Sequence, residues 1–120
     1  MKIIREFPLK FYKSKKAQLD PLRDSRRFDM EFEWDNAKSE RNRRERGFDF
    51  ATAALIFEGP VQTTIDGRHD YREHRIIAIG ESDGEVLVVV YTDRGQVRRI
   101  ISARRANRKE REIWRLFAKH

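Results

Sequence analysis

The pattern of hydrophobic and polar positions over residues 31–57 predicts a short strand followed by two helices. Residues 31–34 (Glu-Phe-Glu-Trp) alternate acidic and apolar side chains, which is typical of a short strand. Residues 36–46 are polar and follow Asp35, a good helix N-cap, and Gly47 is a typical end for this first helix. A second helix is predicted over residues 50–57, where apolar side chains recur on one face. This segment therefore predicts the order β-α-α.

Four strand-like runs follow the two predicted helices. They are Val61–Ile65, Arg75–Ile79, Val86–Tyr91 and Val97–Ser102. Asp83-Gly84 and Asp93-Arg94-Gly95 are typical hairpin turns, so the last three strands should form an antiparallel meander. The run Val86–Val90 is apolar without alternation, which favours a central strand that is covered on both faces.

The chain closes with an amphipathic helix that begins near Ala106. Ile113, Leu116 and Phe117 form an apolar stripe at helical spacing, and Trp114 flanks that stripe. The whole order predicts an α+β domain. In this domain the two N-terminal helices and the C-terminal helix should pack against one side of a mainly antiparallel sheet of four to five strands.

Composition separates residues 1–29 from the rest of the chain. These residues hold nine Lys and Arg against four acids, whereas a regular pattern begins at Met30. We expect residues 1–29 to be a basic extension, either disordered or placed before the true start at Met30, and residues 30–120 to form the functional domain. A nucleic-acid-binding arm is the alternative. No apolar run approaches the roughly 18–20 residues of a membrane span or a secretory signal pattern, so we expect a cytoplasmic protein. The absence of cysteine excludes thiol catalysis and disulfides.

Positive charge concentrates at the C-terminal end of the chain. Paired arginines flank Ile100-Ile101 on both sides, and residues 98–119 carry nine positive charges against Glu110 and Glu112. Guanidinium groups are planar, permanently charged forks that suit phosphate oxygens. The expected counterpart is an anion, either a nucleic-acid backbone or an acidic protein partner.

The order and spacing of several short motifs resemble the BrnT family of type II toxins over residues 32 to about 114. The motifs are Phe32-Glu33-Trp34-Asp35 with Lys38 and Asn42, Gly47 and Phe50, Phe57 and Pro60, Tyr71, Glu73 and Arg75, Ile79-Gly80, Leu87-Val88-Val89-Val90 with Thr92, and Arg99-Ile100-Ile101-Ser102-Ala103-Arg104 with Ala106. The resemblance implies a RelE-like ribonuclease fold, translation arrest by RNA cleavage, and neutralisation by a BrnA-type antitoxin. It also implies that the complex of the two proteins binds operator DNA through the antitoxin.

The sequence departs from the family pattern at three places. A Lys-His-Gly that the family usually carries at the end of the first helix is Glu45-Arg46-Gly47 here, so Arg46 keeps a cation where the imidazole is lost. The acid that usually precedes the proline is Gly59, and a tyrosine of the terminal helix is Trp114. A mechanism that needs an imidazole at that first place is not available, whereas charge stabilisation by arginine is.

RNA cleavage without a metal needs a group that takes the proton of the 2′-hydroxyl, cations that stabilise the pentavalent phosphate, and a proton for the 5′-oxygen. RelE-like enzymes use Arg, Lys, Glu and Tyr for this purpose, and the resemblance implies the same types here. The catalytic candidates are Arg75, Arg99, Arg104, Glu73, His69 and Tyr91. The candidates for nucleic-acid contact are Lys38, Arg46, Arg98, Arg105 and Arg108.

The leading hypothesis is therefore a metal-independent endoribonuclease whose nucleophile is the 2′-hydroxyl of RNA, with no cofactor. The spacing of His69 and His74 among acids matches no recognised metal motif, so no metal site is predicted. The alternative is a non-catalytic module that binds nucleic acid or an antitoxin. In that case Arg75 would form a surface ion pair with Glu73 or Asp70, and Arg99 and Arg104 would bind an acidic antitoxin segment.

Overall fold

Five strands, three α-helices and one 3₁₀ turn form the part of the chain that the computed structural model describes, residues 30–67 and 74–118. The elements are β1 (Glu31–Trp34), α1 (Asn36–Arg46), α2 (Phe50–Ala54), the 3₁₀ turn (Leu55–Glu58), β2 (Val61–Ile65), β3 (Ile76–Ser82), β4 (Glu85–Arg94), β5 (Val97–Arg105) and α3 (Arg108–Ala118). The basic extension expected at residues 1–29 lies outside the described residues. Within the described ranges, no helix has the length and apolar character that crossing a membrane requires.

Local capping chemistry determines where α1 begins and ends. The Asp35 carboxylate accepts the backbone N–H groups of Ala37 and Lys38 at 2.9 and 3.3 Å. Gly47 ends the helix in the left-handed region, at φ 87°, where a side chain would be strained. The bounds predicted for α1 are confirmed. The single helix predicted over residues 50–57 is wrong, because α2 ends at Ala54 and the backbone tightens there into the 3₁₀ turn.

The sheet is mixed, with the strand order β1-β5-β4-β3-β2. The meander of β3, β4 and β5 is antiparallel as predicted, and β2 adds to it antiparallel to β3. The prediction of a mainly antiparallel sheet is corrected because β1 pairs in parallel with β5. Strands β2, β3 and β4 and helices α1 and α2 lie between β1 and β5 in sequence. A hairpin turn therefore cannot join the two strands, and the sequence carries no local signal for their pairing. The backbone N–H of Glu31 donates to the carbonyl of Gln96 at 2.7 Å and fixes where β1 enters.

Helices α1 and α2 and the 3₁₀ turn pack on one face of the sheet, which we call the core face. The core consists of buried apolar residues of the sheet and of these elements: Phe32, Trp34, Phe48, Phe50, Ala53, Ala54, Ile56, Ala78, Leu87, Val89, Tyr91, Ile100 and Ala103. Neighbouring residues along each strand point to the opposite face. That opposite face carries Glu33, Thr92 and Arg99, and we call it the site face.

Helix α3 packs against the site face, so the expectation that all helices lie on one side of the sheet is wrong. Trp114 is 2% exposed, and its Nε1 donates to the Glu81 carboxylate at 2.7 Å. Glu81 follows Gly80 and pairs with Val86, so its side chain points away from the core face. Trp114 is therefore the anchor of α3. The predicted packing stripe is exposed instead, and its members are Ile113, Leu116 and Phe117.

Candidate active site

A row of buried polar side chains crosses the site face on three adjacent strands. Arg99 on β5 pairs with Glu33 on β1 and with Thr92 on β4, so the three side chains point to the same face. Glu33 is 3% exposed, Thr92 is 2% exposed and Arg99 is 8% exposed. The Thr92 hydroxyl donates to the carbonyl of His74 at 2.7 Å. This bond fixes the backbone immediately before Arg75.

A cavity of about 200 Å³ is lined by Arg99 of this row and is strongly cationic. Its charged lining consists of Lys38, Arg75, Arg94, Arg99 and Asp35, and Ile100 and Ile101 complete it. Four cations against one carboxylate leave a net charge of +3. This volume holds several water molecules, which is also room for a phosphodiester group. We call this space the phosphate cavity.

Arg99 is an almost fully buried cation of the phosphate cavity. Its Nη2 is buried and donates no hydrogen bond, although the side chain lines the cavity. A buried charged donor without an acceptor costs free energy, so such a group is unusual unless a ligand supplies the acceptor. On β1, Oε2 of Glu33 is likewise buried and accepts no hydrogen bond. These two buried polar atoms therefore belong to residues that are paired across β1 and β5.

Lys38 lines the phosphate cavity and lies three residues after Asp35, the N-cap of α1. Burial lowers the pKa of its ammonium group, and repulsion by Arg75, Arg99 and Arg41 lowers it further, while the Asp35 carboxylate opposes this change. Lys38, Arg75 and Arg99 line the same cavity and can therefore face one anion together. A bound phosphate would relieve the repulsion.

Two predicted site residues lie on the core face instead. Tyr91 is 4% exposed, and burial raises the pKa of its phenol. The Arg98 guanidinium stacks over the rings of Tyr91 and Phe57 at 4.2 and 4.7 Å and pairs with Asp93 at 2.8 Å. Neither side chain lines the phosphate cavity. Their contacts are those of structural residues.

The remaining predicted arginines lie along β5 and α3, away from the phosphate cavity. Arg104 makes a two-pronged pair with Glu110 at 2.8 and 2.9 Å, and Arg108 lies 3.5 Å from Glu112. Arg105 pairs with Glu85 at 2.7 Å. These ion pairs balance a large part of the charge that makes this end of the sequence so basic.

Arg46, at the end of α1, fastens the helix to β5. Its Nη1 donates to the Asn42 side chain at 2.7 Å and to the carbonyl of Ala103 at 3.4 Å. Arg105 in turn donates to the carbonyl of Arg46. These bonds lie beside the free edge of β5 beyond Trp34, where β1 has ended. The cation that replaces the family's imidazole therefore has a structural contact here.

A larger cavity of about 320 Å³ lies between α3 and the β3–β4 hairpin. It is lined by the arginines 105, 111 and 115 and by the carboxylates 81 and 85, so its net charge is only +1. Arg105 donates to Glu85, and Arg111 donates to the carbonyl of Ala106 at 2.8 Å. Its volume is greater, but its charge and its engaged donors make it the weaker anion site.

The structure adds residues to the site that the sequence did not single out. Arg94 belongs to β4 and lines the phosphate cavity, although its sequence neighbours suggested a turn. Thr92 and Arg94 lie two residues apart on the face of Arg99, which strand alternation reveals once the register is known. The sequence showed Glu33 as an acidic position of a strand and as part of a family motif, but not as a site residue. Its buried place opposite Arg99 depends on the pairing of β1 with β5.

Glu73 and His69, two of the predicted catalytic residues, lie outside the described residues. Arg75 is described and lines the phosphate cavity. In the described ranges, no group of three or more His, Cys, Asp or Glu side chains is arranged to hold a metal ion.

One comparison with known proteins identifies a family for this chain. The family model described as "Ribonuclease toxin, BrnT, of type II toxin-antitoxin system" matches residues 34–110. The matched segment is about two thirds of the chain and contains Lys38, Arg75, Arg94 and Arg99. A search of the curated proteins found no match.

Proposed function

The chain belongs to the BrnT family of ribonuclease toxins of type II toxin–antitoxin systems, and from this premise we propose that the phosphate cavity is its RNA-cleaving site. The observation that carries the proposal is the grouping of Arg99 with three further cations around one cavity. We propose that the enzyme is a metal-independent endoribonuclease that arrests translation.

The proposed reaction is attack of the 2′-oxygen on the adjacent phosphorus. The new O2′–P bond forms as the P–O5′ bond breaks, which leaves a 2′,3′-cyclic phosphate and a 5′-hydroxyl. The 2′-hydroxyl proton passes to a base, and the 5′-oxygen receives a proton. Negative charge grows on the non-bridging oxygens, where Arg75, Arg94 and Arg99 stabilise it. One well-placed donor of this kind contributes about 3–4 kcal/mol to the transition state.

Lys38 is our candidate for the proton donor to the 5′-oxygen. Its lowered pKa makes proton transfer to the leaving group easier than from an ordinary lysine. For the base, Glu73 is favoured over His69 by chain length alone. Glu73 is two residues from Arg75, so their Cα atoms are separated by at most about 7 Å, whereas six residues allow His69 up to about 20 Å.

We further propose that a BrnA-type antitoxin neutralises the enzyme in the cytoplasm and that the complex binds operator DNA through the antitoxin. Support comes from family membership and from α3, where Ile113, Leu116 and Phe117 are exposed beside Arg111 and Arg115. Exposed apolar stripes of this kind mark protein contacts, and the arginines favour an acidic partner segment. Leu116→Asp should weaken the toxin–antitoxin complex without lowering the melting temperature. An unchanged dissociation constant would remove α3 from the interface.

The experiment for the enzymatic proposal is cleavage of labelled RNA by the full chain in EDTA, without and with ribosomes. We expect fragments that end in 2′,3′-cyclic phosphate, and a loss of about 10²–10³-fold in kcat for Arg99→Gln. Arg44→Gln is the matched control, because Arg44 is an exposed arginine of α1 that does not line the phosphate cavity. Intact RNA under both conditions, with salt-dependent binding to RNA and DNA alike, would favour the non-catalytic module.

A further inference from the structure

A second cavity of about 190 Å³ adjoins the phosphate cavity along α1. One wall is the side of α1 that carries Lys38, Arg41, Glu45 and Arg46, and Ile101 and Ser102 of β5 contribute to the other wall. The Arg46 guanidinium already donates to Asn42 and to the carbonyl of Ala103, whereas Arg41 lies exposed. The two cavities share Lys38 and Ile101. They therefore form one groove, with the phosphate cavity at one end.

A β-bulge brings Ile101 to the junction of the two cavities. The register of β4 and β5 passes from Val90 opposite Ser102 to Tyr91 opposite Ile100, so Ile101 is an extra residue without a partner. Bulges next to active sites often redirect a side chain in this way. Here the redirected side chain is an apolar surface between two polar cavities. A ribose or a base can rest on it while its phosphates lie on either side.

Arg41 supplies a cation to the second cavity. It is exposed, and it lies one turn of α1 after Lys38, where side chains three residues apart are neighbours at about 5–6 Å between Cβ atoms. Arg41 also contributes to the repulsion that lowers the pKa of Lys38. Glu45 lies a further turn along and places a carboxylate in the same cavity. This carboxylate repels a phosphate but accepts N–H groups of a base.

We propose that the second cavity is a subsite for the nucleotide next to the scissile bond, with Arg41 binding the flanking phosphate. The inference rests on the proposed function, because it takes the phosphate cavity as the place of the scissile phosphate. The substrate is then a single RNA strand that lies along α1, and an RNA with only one phosphodiester is a poor substrate. The strand continues past Lys38 over Ile101.

The test compares Arg41→Gln with Arg44→Gln in the full chain. Arg44 is also an exposed arginine of α1, but it does not line the groove. The first probe is a fluorescent 2′-O-methyl RNA oligonucleotide that cannot be cleaved, whose affinity is measured at several salt concentrations. Each phosphate contact to a single strand contributes about 0.7 to the slope of log affinity against log salt. We expect Arg41→Gln to lose about this amount and Arg44→Gln to retain the wild-type slope.

The second probe is the same oligonucleotide with one cleavable ribonucleotide and one neutral methylphosphonate placed beside the scissile linkage. On one side of the scissile bond, the neutral linkage should reduce kcat/KM of the wild type by up to about fivefold, the size of an exposed charge contact. It should have no further effect in Arg41→Gln. Equal salt slopes for the two variants, or equal effects of the neutral linkage in wild type and Arg41→Gln, would overturn the subsite. If the wild type cleaves nothing, the proposed function fails, and the salt slopes still decide the binding role of Arg41.

Discussion

Thr92 connects the stability of the sheet with the position of a candidate phosphate ligand. Its hydroxyl donates to the carbonyl of His74 at 2.7 Å, and the next residue, Arg75, lines the phosphate cavity. The side chain is 2% exposed, and valine has nearly the same shape and volume as threonine. Thr92→Val therefore removes one buried hydrogen bond and leaves the packing intact.

The expected loss of stability follows from that single bond. Losing it costs about 1 kcal/mol, which lowers the melting temperature of a domain of this size by about 4–8 °C. The backbone before Arg75 is then free to move, and a shift of 1 Å at a positioning group can reduce a rate about 10²-fold. We expect RNA cleavage by Thr92→Val to fall ten- to a hundredfold, measured well below the melting temperature.

Thr92→Ser is the matched control for this prediction. Serine keeps the hydroxyl donor but loses a buried methyl group, which costs about 0.8 kcal/mol. The two variants should therefore melt at similar temperatures, and only Thr92→Val should lose activity. Equal activity of the two variants would refute the reasoning, because activity would then follow stability and not the bond to His74.

Three further outcomes are expected elsewhere in the molecule. An uncleavable nucleotide bound in the phosphate cavity should raise the lowered pKa of Lys38, because its negative charge favours the ammonium form. A ¹³C titration of the lysine side chain measures this pKa, and an unchanged value would place the anion elsewhere. The hydrogen bond from Arg104 holds the pKa of Glu110 at about 2, below its ordinary value of 4.5, so the pair stabilises the fold above pH 4.5 and the effect is lost as pH falls toward 2. Because the pair is partly exposed, Glu110→Gln should lower the free energy of unfolding by less than about 1 kcal/mol, and only above about pH 4.5. Chemical unfolding at several pH values measures this difference. Trp114→Ala should lower the free energy of unfolding by about 3–5 kcal/mol because the indole is buried, whereas Leu116→Ala should change it by less than about 0.5 kcal/mol. Similar losses for the two variants would contradict the packing of α3.

The features that the sequence predicted well are those that neighbouring residues determine. Asp35 and Gly47 define α1 through hydrogen bonds and a backbone angle that involve only a few adjacent residues. The turn at Asp83-Gly84 joins β3 and β4 as expected, and both residues adopt the positive φ that such a turn requires. The meander followed from these turns.

The features that the sequence did not predict depend on distant partners. The parallel place of β1 beside β5 brings Glu33 next to Arg99, across 66 positions of sequence, and no periodicity encodes that contact. The side of the sheet on which α3 packs was inferred from its apolar stripe, but one buried tryptophan with a hydrogen bond to Glu81 decided it.

The same limit explains the basic C-terminal end. The sequence gives the number of arginines but not their partners, and Arg98, Arg104 and Arg105 are paired with acids of the fold. Lys38, Arg75 and Arg99 were candidates from the sequence, and the structure brings them to one cavity. The sequence could not predict that these three residues lie close together, because they belong to different parts of the fold.

The most direct measurement of the central claim is NMR of the arginine and lysine side chains during titration with an uncleavable 2′-deoxy dinucleotide. The phosphate cavity predicts that the Arg99 guanidinium and the Lys38 ammonium change first and saturate together, because both line the space that the phosphate enters. The side chains of Arg105 and Arg108 should change little. Early changes at Arg105 and Arg108, with Arg99 unaffected, would contradict the account and place the anion at the other end of the sheet.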